Sequence, residues 1–236
     1  MHIAGIGPGT QNKLFKEGYI NWQLAYDNAN SLPLSLKLKD NLLLEIEKSF
    51  TALKKNNISY FLERYPNKEH WRILSHFKNF LSYFDIETTG LSIYDAEVTV
   101  VSCYHQNTMH TYINGENLDD FLDLLDDIKL LVSFNGTSFD VPFIQEYFHI
   151  PTFPCPHIDL RWICYHKNMR GSLKEIEIDC GVYRPDELIG VDGYEAVLLW
   201  EKYKRYGIQK ALDKLVDYCE ADVLALTEVT KEVLLR

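Results

Sequence analysis

The stretch Phe84-Asp85-Ile86-Glu87-Thr88-Thr89-Gly90-Leu91 sets two acids two residues apart in a segment rich in β-branched and aromatic residues. In a strand, residues i and i+2 share a face, so Asp85 and Glu87 project side by side while Ile86 turns away. Adjacent carboxylates repel, and near a core they are costly unless a cation holds them. Mg²⁺ and Mn²⁺ take oxygen ligands of this kind. A strand edge whose acids face water satisfies the same pattern.

Two further stretches carry acids in informative surroundings. Ser133-Phe134-Asn135-Gly136-Thr137-Ser138-Phe139-Asp140-Val141-Pro142-Phe143-Ile144 reads as a strand end, a glycine-containing turn and a helix start. Asp140 then stands where an acid can reach a cleft, or where it simply favours a helix N-terminus. In Asp217-Tyr218-Cys219-Glu220-Ala221-Asp222, Tyr218 and Asp222 are four apart, hence on one helix face. Leu215 and Ala225 share that face, so it points inward, and an inward acid needs a partner: a tyrosine hydroxyl or a metal ion. A buried Tyr–Asp hydrogen bond that serves packing is the plain alternative.

The elements that must position these groups are legible. Residues 1–80 read as mostly helical, with one long helix from Ser35 to about Asn56 and a shorter piece from His70 to Phe80. From Tyr83 the pattern changes. Tyr83–Glu87, Glu97–Tyr104 and Met109–Ile113 have strand composition. Leu118–Asp127 is an acidic amphipathic helix, Lys129–Phe134 a buried strand, and Ser138–Phe148 a helix that tolerates Pro142 only in its first turn. Pro156–Asp159 is strand-like. Ser172-Leu173-Lys174-Glu175 is a capping box, and Tyr194–Tyr206 and Gln209–Leu235 are helices separated by Gly207. Strands followed by alternating strands and helices predict an α/β mixed sheet flanked by helices. The expected organisation is a helical region over 1–80 and an α/β domain over 81–236.

The formal charge of −10 argues at first against a nucleic-acid partner. Its distribution is uneven. Residues 1–82 hold 11 Lys and Arg against 7 Asp and Glu, whereas residues 83–236 hold 13 against 27. An acidic protein can still act on phosphates when its carboxylates hold divalent ions, because the ions invert the local field. Five scattered cysteines suit a reducing compartment, and the spacing of Cys155, His157 and Cys164 matches no ordinary zinc pattern. With no apolar run of membrane length and no basic-then-apolar leader, the chain is expected to be cytoplasmic and not membrane-bound.

Together, in order and spacing, the three acidic stretches resemble the three motifs of the DEDD superfamily of ribonuclease H-like 3′→5′ exonucleases. Asp85 and Glu87 match the first motif, Asp140 the second and Asp222 the third. Tyr218, four before Asp222, matches the variant called DEDDy. More closely, the chain resembles the YprB-like ribonuclease H-like domain family through Asp85–Leu91, Phe134–Phe143, His157–Leu160, Ser172-Leu173 with Glu177, and Gly193 through Trp200 and Tyr203. That resemblance spans about residues 80–230. In the closer family the third motif tends to carry His-Asn where this chain has Tyr218-Cys219.

The resemblance implies a ribonuclease H-like fold and phosphodiester hydrolysis with two Mg²⁺ or Mn²⁺ ions, about 3.5–4 Å apart. It implies that Asp85 bridges both ions, that Glu87, Asp140 and Asp222 complete their shells, and that Tyr218 holds or helps deprotonate the attacking water. Thr88 and Leu91 are implied contacts of the terminal nucleotide at a DNA or RNA 3′ end. Asn135 and Phe139 are candidates for shaping the groove, and His157 and Asp159 for supporting the site without binding the ions. At the front, Ala4-Gly5-Ile6-Gly7-Pro8-Gly9-Thr10 with Lys13-Leu14 and Gly18-Tyr19-Ile20 resembles the hairpin and second helix of a helix-hairpin-helix DNA-binding motif. Gly5 and Gly7 would there let the backbone approach a phosphate. The alternatives are a binding module without catalysis on a nuclease fold, and a ribonuclease H-like endonuclease.

Overall fold

A change of hydrophobic period from helical to alternating, and later back to helical, shapes the chain. The computed structural model describes residues 2–236, and the chain divides into two compact units, Met1–Ile73 and Leu74–Arg236.

The first unit is helical: α1 (Pro8–Lys16), α2 (Trp22–Asp27), α3 (Leu36–Lys54) and α4 (Ile58–Leu62), with α5 (Trp71–His76) running across the division. Pro8 opens α1 at a position where its missing N–H costs nothing. The Asn21 side chain caps α2 by accepting from the Leu24 amide at 2.8 Å. Ile3, Ile6, Leu14, Ala25, Leu32, Leu42 and Ile46 make the core.

The second unit is a five-stranded mixed sheet of order β3-β2-β1-β4-β5. Its strands are β1 (Leu81–Thr88), β2 (Val98–His105), β3 (Thr108–Ile113), β4 (Leu130–Ser133) and β5 (His157–Asp159). The first three are antiparallel neighbours, while β4 pairs in parallel with β1 and β5 in parallel with β4. Parallel pairs need crossovers, and helices α6 (Phe121–Asp127) and α7 (Asp140–Tyr147) lie in those connections. Helices α8 (Leu160–His166), α9 (Leu173–Asp179), α10 (Gly193–Tyr206) and α11 (Gln209–Leu235) follow β5. Pro142 is the third residue of α7, where its missing donor is not required. Among the described residues no helix is long and apolar enough to cross a membrane.

The two faces of the sheet bury different sets. Phe84 and Ile86 of β1 pack with Phe121, Leu125, Phe143 and Ile144 of α6 and α7. On the other face Val100 packs with Leu199 and Trp200 of α10 and with Leu212, Leu215, Tyr218 and Cys219 of α11. Along α11, residues 212, 215, 219, 222, 226, 229 and 233 recur every three or four positions and are all buried. One of them, Asp222, is charged.

Candidate active site

Asp85 and Glu87 lie in the second half of the central strand β1, paired with Ser102 and Val100 of β2. Strand alternation turns them away from the Phe84–Ile86 core, toward α11. The β1–β2 register slips between Glu87 and Thr88, a bulge of the sort that re-aims side chains beside functional clefts. Glu87 is buried and Asp85 partly exposed. Their carboxylate oxygens and the Cys219 sulfur lie within 4.8 Å of one another. The Cys219 Sγ is 3.5 Å from the Asp85 carbonyl and 3.9 Å from its Oδ2.

Asp140, buried, opens α7 after a turn that the neighbouring strand holds in place. The Asp159 carboxylate at the end of β5 accepts three backbone N–H groups: Asn135 at 2.8 Å, Thr137 at 3.1 Å and Arg161 at 3.0 Å. Asn135 has a left-handed backbone with φ 67°. At Gly136 any Cβ would stand 1.9 Å from the Ser133 Oγ and 3.3 Å from the Asp140 Oδ2, so only glycine lets the turn close here. Asp159 thus supports the turn that delivers Asp140. His157 does something different: its Nε2 meets the Ser133 Oγ at 2.8 Å, its ring packs edge-on to Phe84, and burial pulls it down to about 4, so it is neutral.

Asp222 comes with a cation. Its Oδ1 accepts from Nη2 of Arg184, and the same guanidinium grips Glu177 through Nε at 2.8 Å and Nη2 at 2.6 Å. The side chains of Asp222 and Arg184 are each 10% exposed and that of Glu177 2%. Helix α9 supplies Glu177 and the loop after it supplies Arg184, so one short segment builds the clamp; its start is fixed by the Ser172–Glu175 capping box. The Nη1 of Arg184 is buried without a hydrogen-bond partner. Lys174, also on α9, donates to the Val191 carbonyl, and its Nζ stands 4.8 Å from the Tyr218 ring centroid.

The electrostatics are those of an acid cluster short of positive charge. Burial and then the charges of Asp222, Asp140 and Glu87 hold Asp85 well above the carboxylate range. Burial and the charges of Asp222 and Asp140 do the same to Glu87. Asp140 is pushed up to about 7, chiefly by burial, with Asp159 adding and backbone amides opposing. Asp222 is raised by burial although Arg184 pulls it back. Tyr218 is raised by burial and by the charges of Asp222, Glu87 and Asp85, so its hydroxyl stays protonated. Four mutually repelling oxygen donors with few cations near them fit hard divalent ions, which would remove the repulsion.

The structure therefore brings Asp85, Glu87, Asp140, Tyr218 and Asp222 into one electrostatic neighbourhood. Thr88 is buried, with its hydroxyl bonded to the Gly90 carbonyl at 2.6 Å, and Leu91 stands 88% exposed on the following loop. The Asn135 side chain accepts from Nη1 of Arg161. Phe139 packs on Phe143, centroids 4.7 Å apart, at the edge of the core. Gly5 (φ 81°) and Gly7, the residue before α1, belong to the other unit. Cys155 and Cys164 are buried. Among the described residues, the one group of His, Cys, Asp or Glu with its ligand atoms together is Asp85, Glu87 and Cys219. Sequence reading missed Arg184 and Lys174. A buried Asp222 demands a counter-charge, but spacing alone does not say which cation supplies it.

Residues 82–234 match the family model described as RNase_H superfamily. A family B DNA polymerase from the hyperthermophilic archaeon Pyrobaculum calidifontis is similar in structure, with a TM-score of 0.53 at 14% identity. The match covers 65% of this chain and 24% of the polymerase, so the chain spans about a quarter of that protein's length and the likeness is one of fold. No curated protein matches.

Proposed function

Because the chain belongs to the ribonuclease H superfamily, we propose that it is a metal-dependent 3′→5′ exonuclease acting on DNA or RNA. The observation that carries this reading is the mutual electrostatic repulsion of four acids from three separate segments near a buried tyrosine. Packing has no use for such a cluster, since each acid raises the cost of the others.

When bound, two Mg²⁺ or Mn²⁺ ions would activate water and stabilise the leaving oxygen. Asp85 and Glu87 would hold the ions from the sheet, Asp140 from the start of α7 and Asp222 from α11. Arg184 occupies only the Oδ1 of Asp222, so the other oxygen would be the one to bind an ion. The protonated Tyr218 would orient the attacking water by donating to it, while a carboxylate takes the proton. Leu91, on its exposed loop, would meet the terminal base, and Thr88 would hold the loop that carries it. The activity would reside in the Leu74–Arg236 unit, which holds residues 82–234 of the superfamily match. Gly7 in the first unit would serve a separate DNA contact. A Cβ there meets nothing within 4 Å, so Gly7→Glu is a clean test: it should weaken DNA binding without altering cleavage of short oligonucleotides.

The deciding experiment is a time course on 5′-labelled single-stranded DNA and RNA with Mn²⁺ or Mg²⁺, with EDTA, and with Asp85→Ala and Asp140→Ala. The expected result is a ladder shortening from the 3′ end, lost in EDTA and lowered about a thousand-fold or more in Asp85→Ala. Internal cuts would make the protein an endonuclease. An inert metal-loaded wild type would leave a binding module.

A further inference from the structure

Beside the turn that carries Asp140 lies a cavity of about 600 Å³, lined by Phe134, Asn135, Arg161, Tyr165 and Arg170 among others. No acid lines it, in a chain whose residues 83–236 hold more than twice as many acids as bases. Arg161 donates to the Asn135 side chain, and Arg170 lies over the Tyr165 ring, 4.0 Å from its centroid. Among the described residues neither arginine has a carboxylate within salt-bridge distance, unlike Arg184, whose charge is spent on Glu177 and Asp222. Tyr165 is 47% exposed. Guanidinium groups not neutralised by a carboxylate are phosphate ligands with a fork of donors, and a tyrosine with a stacked arginine offers a flat π-surface to a base.

The cavity and the catalytic acids are joined through one short turn. Asp159 binds the Asn135 amide at the cavity's edge, the Thr137 amide on the way to Asp140, and the Arg161 amide at the start of α8. A strand whose phosphate lies at Asp140 has this positive recess as its neighbour. We propose that the cavity is a nucleotide subsite for unpaired nucleic acid, with Arg161 on a backbone phosphate and a base laid against Tyr165 and Arg170. The subsite selects strands that are single-stranded for more than the terminal nucleotide, since a paired base cannot swing out to stack without the cost of unpairing. It rests on the nuclease reading for the identity of its ligand.

The test is binding of fluorescein-labelled 12-nucleotide single strands of DNA and RNA, followed by anisotropy in EDTA so that nothing is cut. Blunt duplex of the same sequence is the comparison. Wild type should prefer the single strand. Arg161→Ala and Tyr165→Ala should each weaken that binding about ten-fold. Arg161→Ala should also lower the slope of log K against log salt by about 0.7, the share of one single-strand phosphate. Arg161→Lys, which keeps the charge, should retain the slope, and unchanged melting temperatures would show that the variants fold. Wild-type affinity and slope in both alanine variants would overturn the proposal, as would an equal loss on blunt duplex. Binding losses as expected in a protein that never cleaves would instead overturn the exonuclease reading and leave the subsite standing.

Discussion

The acids on the sheet and the acid on the helix reach the same neighbourhood by different physics. Asp85 and Glu87 are fixed by strand register, with no salt-bridge partner among the described residues. Asp222 stands in the apolar stripe of α11 and is clamped by an arginine that is itself held by Glu177. One acid thus carries its counter-charge with it, while the pair on the sheet has none supplied by a salt bridge among the described residues. The difference predicts that the helix acid is part of the fold even without metal, and that the sheet acids are a liability until metal arrives.

Arg184→Met probes that contrast with the largest expected effect on stability. It leaves Glu177 and Asp222 buried and uncompensated, at a cost of about 3–5 kcal/mol, to be read from urea unfolding in EDTA. Asp85→Asn in the same assay should leave the metal-free protein as stable as wild type or more so, because it removes one of the repelling charges. Equal destabilisation by both variants would break the comparison, since the sheet acids would then be part of the fold as well.

Much of this was legible beforehand. The alternation around Asp85 and Glu87 gave β1, and the change of period near Tyr83 gave the switch from helical to α/β structure, because strands and helices bury faces of different period. The Ser172–Glu175 capping box stands as its spacing predicts, and Gly207 ends α10 with a left-handed φ of 64°. The inward position of Asp222 followed from its neighbours on the helix. What could not be read were contacts made by loops. Arg184 lies 38 residues from the acid that it neutralises. Arg161 and Arg170 stand in no motif, and only the fold sets them around one cavity.

Gly136→Ala is a smaller and more local test. The added carbon collides with the Ser133 Oγ at 1.9 Å and presses toward Asp140, so the turn must shift. We expect a cost of about 1–3 kcal/mol in stability. Cleavage should fall roughly 100-fold, as expected when a catalytic group moves by about an ångström. The binding of single strands should suffer far less than in Arg161→Ala. If Gly136→Ala cleaves normally, Asp140 does not depend on the turn that Asp159 braces.

The smallest effect is the most direct measure of unmet charge. Asp140 has its folded pKa raised from 3.8 to about 7, so between those values the folded protein binds more protons than the unfolded chain. Stability from this group is full below pH 3.8 and is lost as pH rises through 7. Asp85 and Glu87 are raised in the same direction. His2 and His157, both pulled down to about 4 by burial, act oppositely but only below their ordinary value of 6.5. From pH 6.5 to 8.5 the carboxylates therefore dominate, and the metal-free protein should lose about 1 kcal/mol or more of stability. Asp140→Asn should flatten that slope. Mg²⁺ should raise the melting temperature more at pH 8.5 than at 6.5, since ion binding needs the deprotonated acids. A metal-free melting temperature that climbs over this range would mean that the cluster already has its cations, and the contrast between sheet and helix would fail.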